Sequence, residues 1–354
     1  MPKSPVTIPK RLVTFIRNTH YKDPDAKKLA TGGDSTAAIM ATPTGLNVRL
    51  DASLAVREAQ SGSRGNTKPR VNPSTSRRAA SLLAFLQTLW SEAGLNQWTG
   101  ASASRHWGQC NAMLLAEAGT ARINGADAQK VLHIMRRYEE ADRSAINAEF
   151  DWFLDGLVTT KTVTQRGLVI GEIGEVAATQ YGHALTLRQS ARKYYASTTQ
   201  IEQISRSHAH AWRALGSTGS RVVAILLVER TAKGHLKLID LAAMLCSSAF
   251  IPCDSIHEVA MTNRLVSERR DFVKPIRMAP DDDMLPDFIL RDTSPRTHVE
   301  VYGMNLVPAY EARKKKEKRA LRLARGIPAL EWNIDREALD SLRLPPVVDA
   351  AATT

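Results

Sequence analysis

Asp287 and Glu300 are separated by a run that reads as strand, turn, strand, a spacing that can set two carboxylates side by side. Pro286-Asp287 opens one apolar run, in MLPDFILRD, and Glu300 sits inside the next, THVEVYGM. Alternate side chains of a strand share a face, so Glu300 and Tyr302 project together while Val299 and Val301 point the other way. Pro286 is tolerated where it stands because a strand's first residue need not donate to the ladder. If the two runs pair as a hairpin through 291–296, both acids come within reach of one hard cation such as Mg²⁺. That ion takes oxygen ligands, commonly one or two carboxylates with waters and a substrate phosphate. It activates a water and offsets charge building on a phosphate, which is the chemistry of phosphodiester hydrolysis.

A third acid stands upstream. Glu258 lies in DSIHEVAMTNRLVSERR, on a predicted helix whose Val259, Leu265 and Val266 look inward, and it is preferred over Glu268 in the charged SERR end. A lysine-rich stretch, YEARKKKEK, follows the second strand. At helical spacing Tyr310, Lys314, Lys318 and Leu321 share one face. With Tyr310 and Leu321 toward the sheet, Lys314 and Lys318 fall on or beside the inward stripe. Lys315, Lys316, Arg319 and Arg322 then face outward, as nucleic-acid phosphate contacts or as a solvated basic surface. An inward lysine beside two carboxylates is held protonated and can orient the attacking water or steady charge on the phosphate. The sequence does not choose between Lys314 and Lys318, and salt bridges to Glu311 and Glu317 are the plainer role for both.

The elements that must position these groups form an α/β pattern. It runs helix at 254–269, strands at 286–290 and 297–302, helix at 308–325, strand at 327–333 and a last helix at 335–343. Two stronger strands, 222–228 and 236–241, precede it, after a helix at 198–214 and short strands at 168–173 and 184–187. Earlier helices are expected at 105–118, 126–140 and 143–156. Order begins at Ala79, where SLLAFLQTLWSEAGL places Leu82, Phe85, Leu86 and Leu89 at helical spacing and Gly94 as a C-cap. Trp90, Trp98, Trp107 and Trp152 read as helical core. Residues 1–59, interrupted by prolines, hint at strand only over 46–55, and QSGSRGNTKPRVNPSTSRR at 60–78 reads as a basic linker.

Composition bounds the partners. The chain has 354 residues and 43% hydrophobic content, enough for a core. Lys and Arg number 48 against 36 Asp and Glu, for a net charge of +12, which suits a partner made of phosphates. Cys110, Cys246 and Cys253 are too few and scattered for a disulfide framework or a zinc ribbon. No signal-peptide apolar region is visible, and the longest uncharged apolar run, 222–228, is far short of a membrane span, so no membrane role and a cytoplasmic location are expected. The phosphate loop GxxxxGK[ST] is absent, which argues against ATP hydrolysis. His208 and His210 diverge at i, i+2 and lack a third ligand, so they are not read as a metal site. Glu172 and Glu175 in GEIGE are kept as secondary acids, and 281–283 (DDD) as a solvated loop.

Glu258, Pro286-Asp287 and Glu300 in this order of elements resemble the PD-(D/E)xK nuclease superfamily, across roughly 221–343. The resemblance implies an α+β or α/β chain, with a helical N-terminal lobe followed by a restriction-endonuclease-like αβββαβ domain. It implies DNA cleavage dependent on Mg²⁺ or Mn²⁺. Asp287 and Glu300 would be metal ligands, the backbone carbonyl of Val301 would complete the protein's share, and Glu258 would assist. GIPALEW after the basic helix is similar to the ending of very-short-patch-repair-like endonucleases. That superfamily's lysine usually stands two residues after the second acid, where this chain has Tyr302, whose phenol brings no positive charge. Either the lysine has moved to the next helix, as Lys314 or Lys318, or the site is inactive.

A second resemblance covers most of the chain after Ala79. LVSERRDFVKPIR, LPDFILRD, VEVYGM and YEARKKKEK, with LLAFLQTLWSEAGLNQW and GLVIGEIGEV upstream, resemble an uncharacterised family carried on conjugative plasmids and integrative elements. It implies DNA, and other DNA-transfer or transposition proteins, as partners. The expected division is a basic, partly disordered arm and linker over 1–78, a helical then mixed lobe over 79–220 that binds DNA or a partner, the nuclease-like domain over 221–343, and a tail over 344–354. The rival expectation keeps this fold without the chemistry, as an inactive DNA-binding or assembly factor in plasmid conjugation.

Overall fold

The computed structural model describes residues 38–42, 45–57, 79–101, 104–277, 284–303 and 308–348, so the basic linker at 60–78 and the acidic run at 281–283 lie outside the described residues. The chain is mixed α+β. In order come β1 (Ile39–Thr42), β2 (Gly45–Val48), β3 (Ala55–Arg57), α1 (Leu82–Glu92), β4 (Gln97–Trp98) and α2 (Trp107–Ala118). Next are β5 (Arg122–Ile123), β6 (Ala126–Asp127), α3 (Ala128–Val131), β7 (Leu132–Ile134), α4 (Arg143–Asp155) and β8 (Val163–Thr179). They are followed by β9 (Gly182–Leu187), β10 (Ser190–Ala196), α5 (Thr198–Ser207), α6 (Ala209–Arg213), β11 (Ser220–Arg230) and β12 (Leu236–Ser247). Last come α7 (Ile256–Ser267), β13 (Phe272–Val273), β14 (Phe288–Leu290), β15 (Thr297–Tyr302), α8 (Pro308–Ala324) and β16 (Ala329–Asn333). Among the described residues no helix is long and apolar enough to cross a membrane.

The chain divides into two compact units. The larger comprises Asp34–Leu95 and Ala103–Asn263, and the smaller contains Asn96–Ser102 with Arg264–Thr354. The boundary therefore falls inside α7, not near 220. The reason is strand pairing: β11 and β12 are bonded into one sheet with β8, β9 and β10 and cannot be parted from them.

In the larger unit, β8 is long enough to serve two partners. Its first half pairs with β11, from Glu229↔Arg166 to Val223↔Glu172, and its second half pairs with β9 out to Thr179↔Gly182, with an irregularity between Ile173 and Glu175. β9 pairs with β10, β10 runs parallel to β12, and β12 returns to β11 as a hairpin. Five strands thus close into a barrel in the order β8-β9-β10-β12-β11, with α5 and α6 inserted between β10 and β11 in sequence. Closure removes the exposed edges that an open sheet must otherwise protect. Leu168, Ile170, Leu185, Tyr194, Val223 and Ile225 are completely buried. β3 and β7 extend β8 outside the ring, and β1, β2, β5 and β6 form a separate small sheet.

Helix α1 begins where expected, with the Ser81 hydroxyl accepting from the Ala84 N–H, and buries Phe85, Leu86, Leu89 and Trp90. Trp90 donates to the Phe250 carbonyl at 3.0 Å. Trp98 is also buried, but in β4, and Trp152 departs from the expectation of a core residue, being 69% exposed. The inward residues of α4 are Ile146, Phe150, Phe153 and Leu154, and Trp152 projects from the other side of that helix. The helix expected over 126–140 is replaced by the one-turn α3 and the strand β7. The helix expected over 335–343 is reduced to a 3₁₀ turn at Leu339–Ser341.

The smaller unit is built on a five-stranded sheet of order β16-β15-β14-β13-β4. β13, β14 and β15 are antiparallel neighbours, while β15 and β16 are parallel and joined through α8. β4 arrives from far upstream, pairing Trp98 with Phe272, and is held by Arg291 donating to Gln97 Oε1 at 2.8 Å and by Asn96 donating to the Lys274 carbonyl at 2.9 Å. The ion pair at the end of β14 is almost dry. Arg270 donates through Nε and Nη2 to both oxygens of Asp292 at 2.7 and 2.8 Å, and the two side chains are 3% and 9% exposed. Burial alone would raise the Asp292 pKa, but the Arg270 bonds outweigh it and the carboxyl titrates below its ordinary value.

Asp292→Ala strands a buried guanidinium and is expected to cost about 3–5 kcal/mol in urea unfolding; a cost under about 1 kcal/mol would show that solvent screens the pair. Because the folded pKa is depressed, this stabilisation is complete above the ordinary aspartate range of about 3.9 and is lost as pH falls through the lower folded value. The difference in stability between wild type and Asp292→Ala should therefore shrink only at acid pH.

Candidate active site

Strand register brings the acids together. Phe288 faces Val299 across β14 and β15, and continuing that register by one residue sets Asp287 opposite Glu300. On the other side of β15, Glu300 faces Glu331 of β16. Three carboxylates therefore lie in a row across neighbouring strands, about 4.8 Å per step. Asp287 Oδ2 accepts from the Val301 N–H at 2.7 Å, which ties the residue before β14 to β15.

Helix α8 supplies the opposing charge. Lys318 Nζ donates to Glu300 Oε2 at 2.7 Å and to the Leu285 carbonyl at 2.9 Å. Arg322 donates through Nη1 to Glu300 Oε1 at 2.8 Å and through Nη2 to Glu331 Oε1 at 2.5 Å. Arg319 Nε reaches both oxygens of Glu331, at 2.9 and 2.8 Å. Tyr302 donates to Glu331 at 3.3 Å, and the Lys315 ammonium stands 4.4 Å from the centre of the Tyr302 ring.

Burial sets the electrostatics. Glu300 is 1% exposed and Arg322 3%. Desolvation raises the Glu300 pKa, with Asp287 adding to the rise and Lys318 and Arg322 opposing it. Glu331 is held low, chiefly by its bonds from Arg319. The Tyr302 phenol is pushed up to about 12, first by burial, so it stays protonated at neutral pH.

The structure thus gathers Asp287, Glu300, Lys318, Tyr302 and Lys315 on one sheet face. It corrects Arg322, which does not face outward as a phosphate contact but is buried between two acids. The inward stripe of α8 carries Lys315, Lys318 and Arg322, with Leu321 partly buried beside Lys318. Arg319 is turned to Glu331 with its side chain 60% exposed, and Lys316 is exposed. The side chain of Lys314 lies outside the described residues. Glu258 belongs to the larger unit, where it is buried and its Oε2 accepts from the Asp254 N–H at 3.1 Å while its own N–H meets Ser255 Oγ at 3.2 Å. Those bonds are a helix-capping role, signalled by the Ser-x-x-Glu spacing. Glu331 was not anticipated. Its signal was an acid between Leu330 and Trp332 in a strand running parallel to the one that holds Glu300.

The chain belongs to the DUF1173 family. The profile of that family, described as a protein of unknown function, matches residues 17–334. No curated protein and no solved structure matches the chain. The matched span takes in the carboxylate row and α8 whole.

Other candidates lead elsewhere. Among the described residues no group of three or more His, Cys, Asp or Glu side chains is arranged to hold a metal. Asp287 and Glu300 nonetheless fit a hard cation that needs one or two carboxylates: Asp287 Oδ1 has no hydrogen-bond partner among the described residues, and each Glu300 oxygen keeps a further lone pair. Glu172 is neutralised by Arg188 at 3.0 Å and Arg221 at 3.2 Å. His208 lines a cavity of about 440 Å³ in the larger unit with Arg166 and Asp240, and burial lowers its pKa against the pull of Asp240. The three cysteines are free and buried, and burial pushes the Cys110 thiol up to about 12.

Arg322→Met leaves Glu300 and Glu331 short of a buried partner, and should cost about 3–5 kcal/mol in urea unfolding. Lys318→Met leaves Glu300 bonded to Arg322 and should cost about 1.5–3 kcal/mol. Equal losses would contradict the division between a buried, shared arginine and a more accessible lysine.

Proposed function

We propose that this chain is a metal-dependent, endonuclease-like protein that hydrolyses phosphodiester bonds in DNA, in the transfer or repair of a mobile element. The observation that carries the reading is the juxtaposition of Asp287 and Glu300 across two strands, with Lys318 bonded to Glu300. The order α7-β13-β14-β15-α8-β16 agrees with the αβββαβ core of the PD-(D/E)xK resemblance and supports a restriction-endonuclease-like reading of the smaller unit's sheet.

In this reading Asp287, Glu300 and the Val301 carbonyl hold Mg²⁺ or Mn²⁺, which when bound supplies Lewis acidity toward phosphate and lowers the pKa of a water. Lys318 takes the role of the lysine missing at Tyr302. Its ammonium, on a flexible stem and 19% exposed, can turn from Glu300 to orient the attacking water or steady charge on the phosphoryl oxygens. Tyr302 remains a neutral phenol and acts only as a donor. Lys315, Lys316 and the exposed part of Arg319 offer positive charge to neighbouring phosphates. Other DNA-transfer or transposition proteins are the further partners this reading implies.

One observation favours a second reading. Both oxygens of Glu300 are already bonded to cations, so the same fold can serve as an inactive DNA-binding or assembly factor whose acids only hold α8 in place.

Labelled linear, supercoiled and branched DNA incubated with Mg²⁺, Mn²⁺ or EDTA distinguishes the two. Metal-dependent products are expected, abolished in Asp287→Ala/Glu300→Ala and reduced by about 10²–10³ in Lys318→Ala. Salt-sensitive binding with no cleavage of any substrate would overturn the catalytic reading.

A further inference from the structure

The barrel of the larger unit carries a surface that the carboxylate site does not use. Alternation along β10 turns Tyr194 and Ala196 inward and leaves Lys193 and Tyr195 outside. On β12, Leu236 and Leu238 are inside, and Lys237 is outside beside Tyr195 in the parallel register. Two turns flank this face, one toward each end of β10. The pairing of Ala196 with His183 sets the β8–β9 turn just beyond the C-terminal end of β10, and its Tyr181 is 88% exposed. The β11–β12 turn, on the side of the earlier residues of β10, bends at Gly234 (φ +82°) and presents Lys233 and His235. The His235 ring meets Tyr195 edge-on, with centroids 5.7 Å apart.

Three exposed rings, Tyr181, Tyr195 and His235, are thus interleaved with Lys193, Lys233 and Lys237. A lone surface tyrosine needs no explanation, but rings spaced along one outer face of the barrel, from the β8–β9 turn across β10 to the β11–β12 turn and among lysines, form a stacking platform with a cationic border. Lys237 is partly engaged by Glu229 at 3.1 Å. Among the described residues Lys193 and Lys233 have no carboxylate partner. The exposed Glu175, in register with Thr186, which in turn faces Lys193, is an acid of the same sheet face.

We propose that this outer face of the barrel binds single-stranded nucleic acid, with bases stacked on Tyr181 and Tyr195 and phosphates paired with Lys193, Lys233 and Lys237. Aromatic faces and flexible ammonium groups suit a strand whose bases are unstacked, because a duplex keeps the faces of its bases covered. The proposal goes beyond the cleavage reading and does not need it.

The full chain, in EDTA, is titrated into fluorescein-labelled oligothymidylate, oligouridylate and a duplex, each about 15 nucleotides long, a length within the span one barrel covers. Fluorescence anisotropy is the readout. Single strands are expected to bind more tightly than the duplex. Tyr181→Ala and Tyr195→Ala should each weaken binding by about 5- to 150-fold. Lys193→Ala/Lys233→Ala should reduce the slope of log affinity against log salt by about 1.4. Tyr181 is so exposed that its variant serves as the control for folding, checked by circular dichroism. Preference between the thymidine and uridine strands assigns DNA or RNA, and equal binding supports their shared chemistry. Unchanged affinity in both tyrosine variants, equal binding of the duplex, or no single-strand binding would each overturn the proposal. EDTA suppresses metal-dependent cleavage, so failure here and failure of the nuclease reading are separate results.

Discussion

Glu300 occupies the middle of a sheet at 1% exposure, and a carboxylate in that position must be paired, hydrogen-bonded or protonated. Much of the smaller unit answers that demand. Parallel pairing of β15 and β16 requires a crossover, and α8 provides it. The helix meets the sheet through Lys318 and Arg322, one turn apart, which bind the two oxygens of the same carboxylate. In the last turns of α8 the buried side chain is a charged one, Arg322, while Leu323 is 84% exposed. Charge helps to hold this part of the helix, whose Lys318 and Arg322 are turned to the acids beneath it.

That explains which parts of the site were legible in the sequence. The strand pair carrying Asp287 and Glu300 could be read from a Pro-Asp opening, a short turn and two-residue alternation, all local signals. The rotation of α8 is legible in part: helical spacing sets Lys318 on or beside the inward stripe, but it turns Arg322 outward, whereas the sheet's carboxylates bury it. Glu331 escaped for a related reason: its importance comes from pairing with Glu300 across a crossover, and no local pattern encodes that. For Glu258 a local rule, the Ser-x-x-Glu cap, accounts for two bonds, to the Asp254 N–H and from its own N–H to Ser255.

Barrel closure was hidden by the length of β8. A reading by apolar runs finds a short strand at 168–173 and stops at the polar residues around Glu175, yet the backbone continues to Thr179. The continuation pairs with β9 while the first half pairs with β11, and that shared strand is what draws β11 and β12 into the larger unit. The domain boundary expected at 221 fails on that point. Strand pairing decides it, and the apolar content of 222–228 fits either assignment.

The two cations on Glu300 are not interchangeable. Arg322 presents a planar fork, and its nitrogens are divided between acids on two strands, so moving it would leave both carboxylates under-compensated. Lys318 has a single ammonium, a flexible stem, and a backbone carbonyl as its other acceptor. It can leave Glu300 at the cost of one charge-assisted bond while Arg322 still holds the other oxygen. A site with one fixed and one movable cation keeps its fold when an incoming ligand displaces the movable one. A site whose acids only anchored a helix would gain nothing from that asymmetry, and two arginines would hold α8 more firmly.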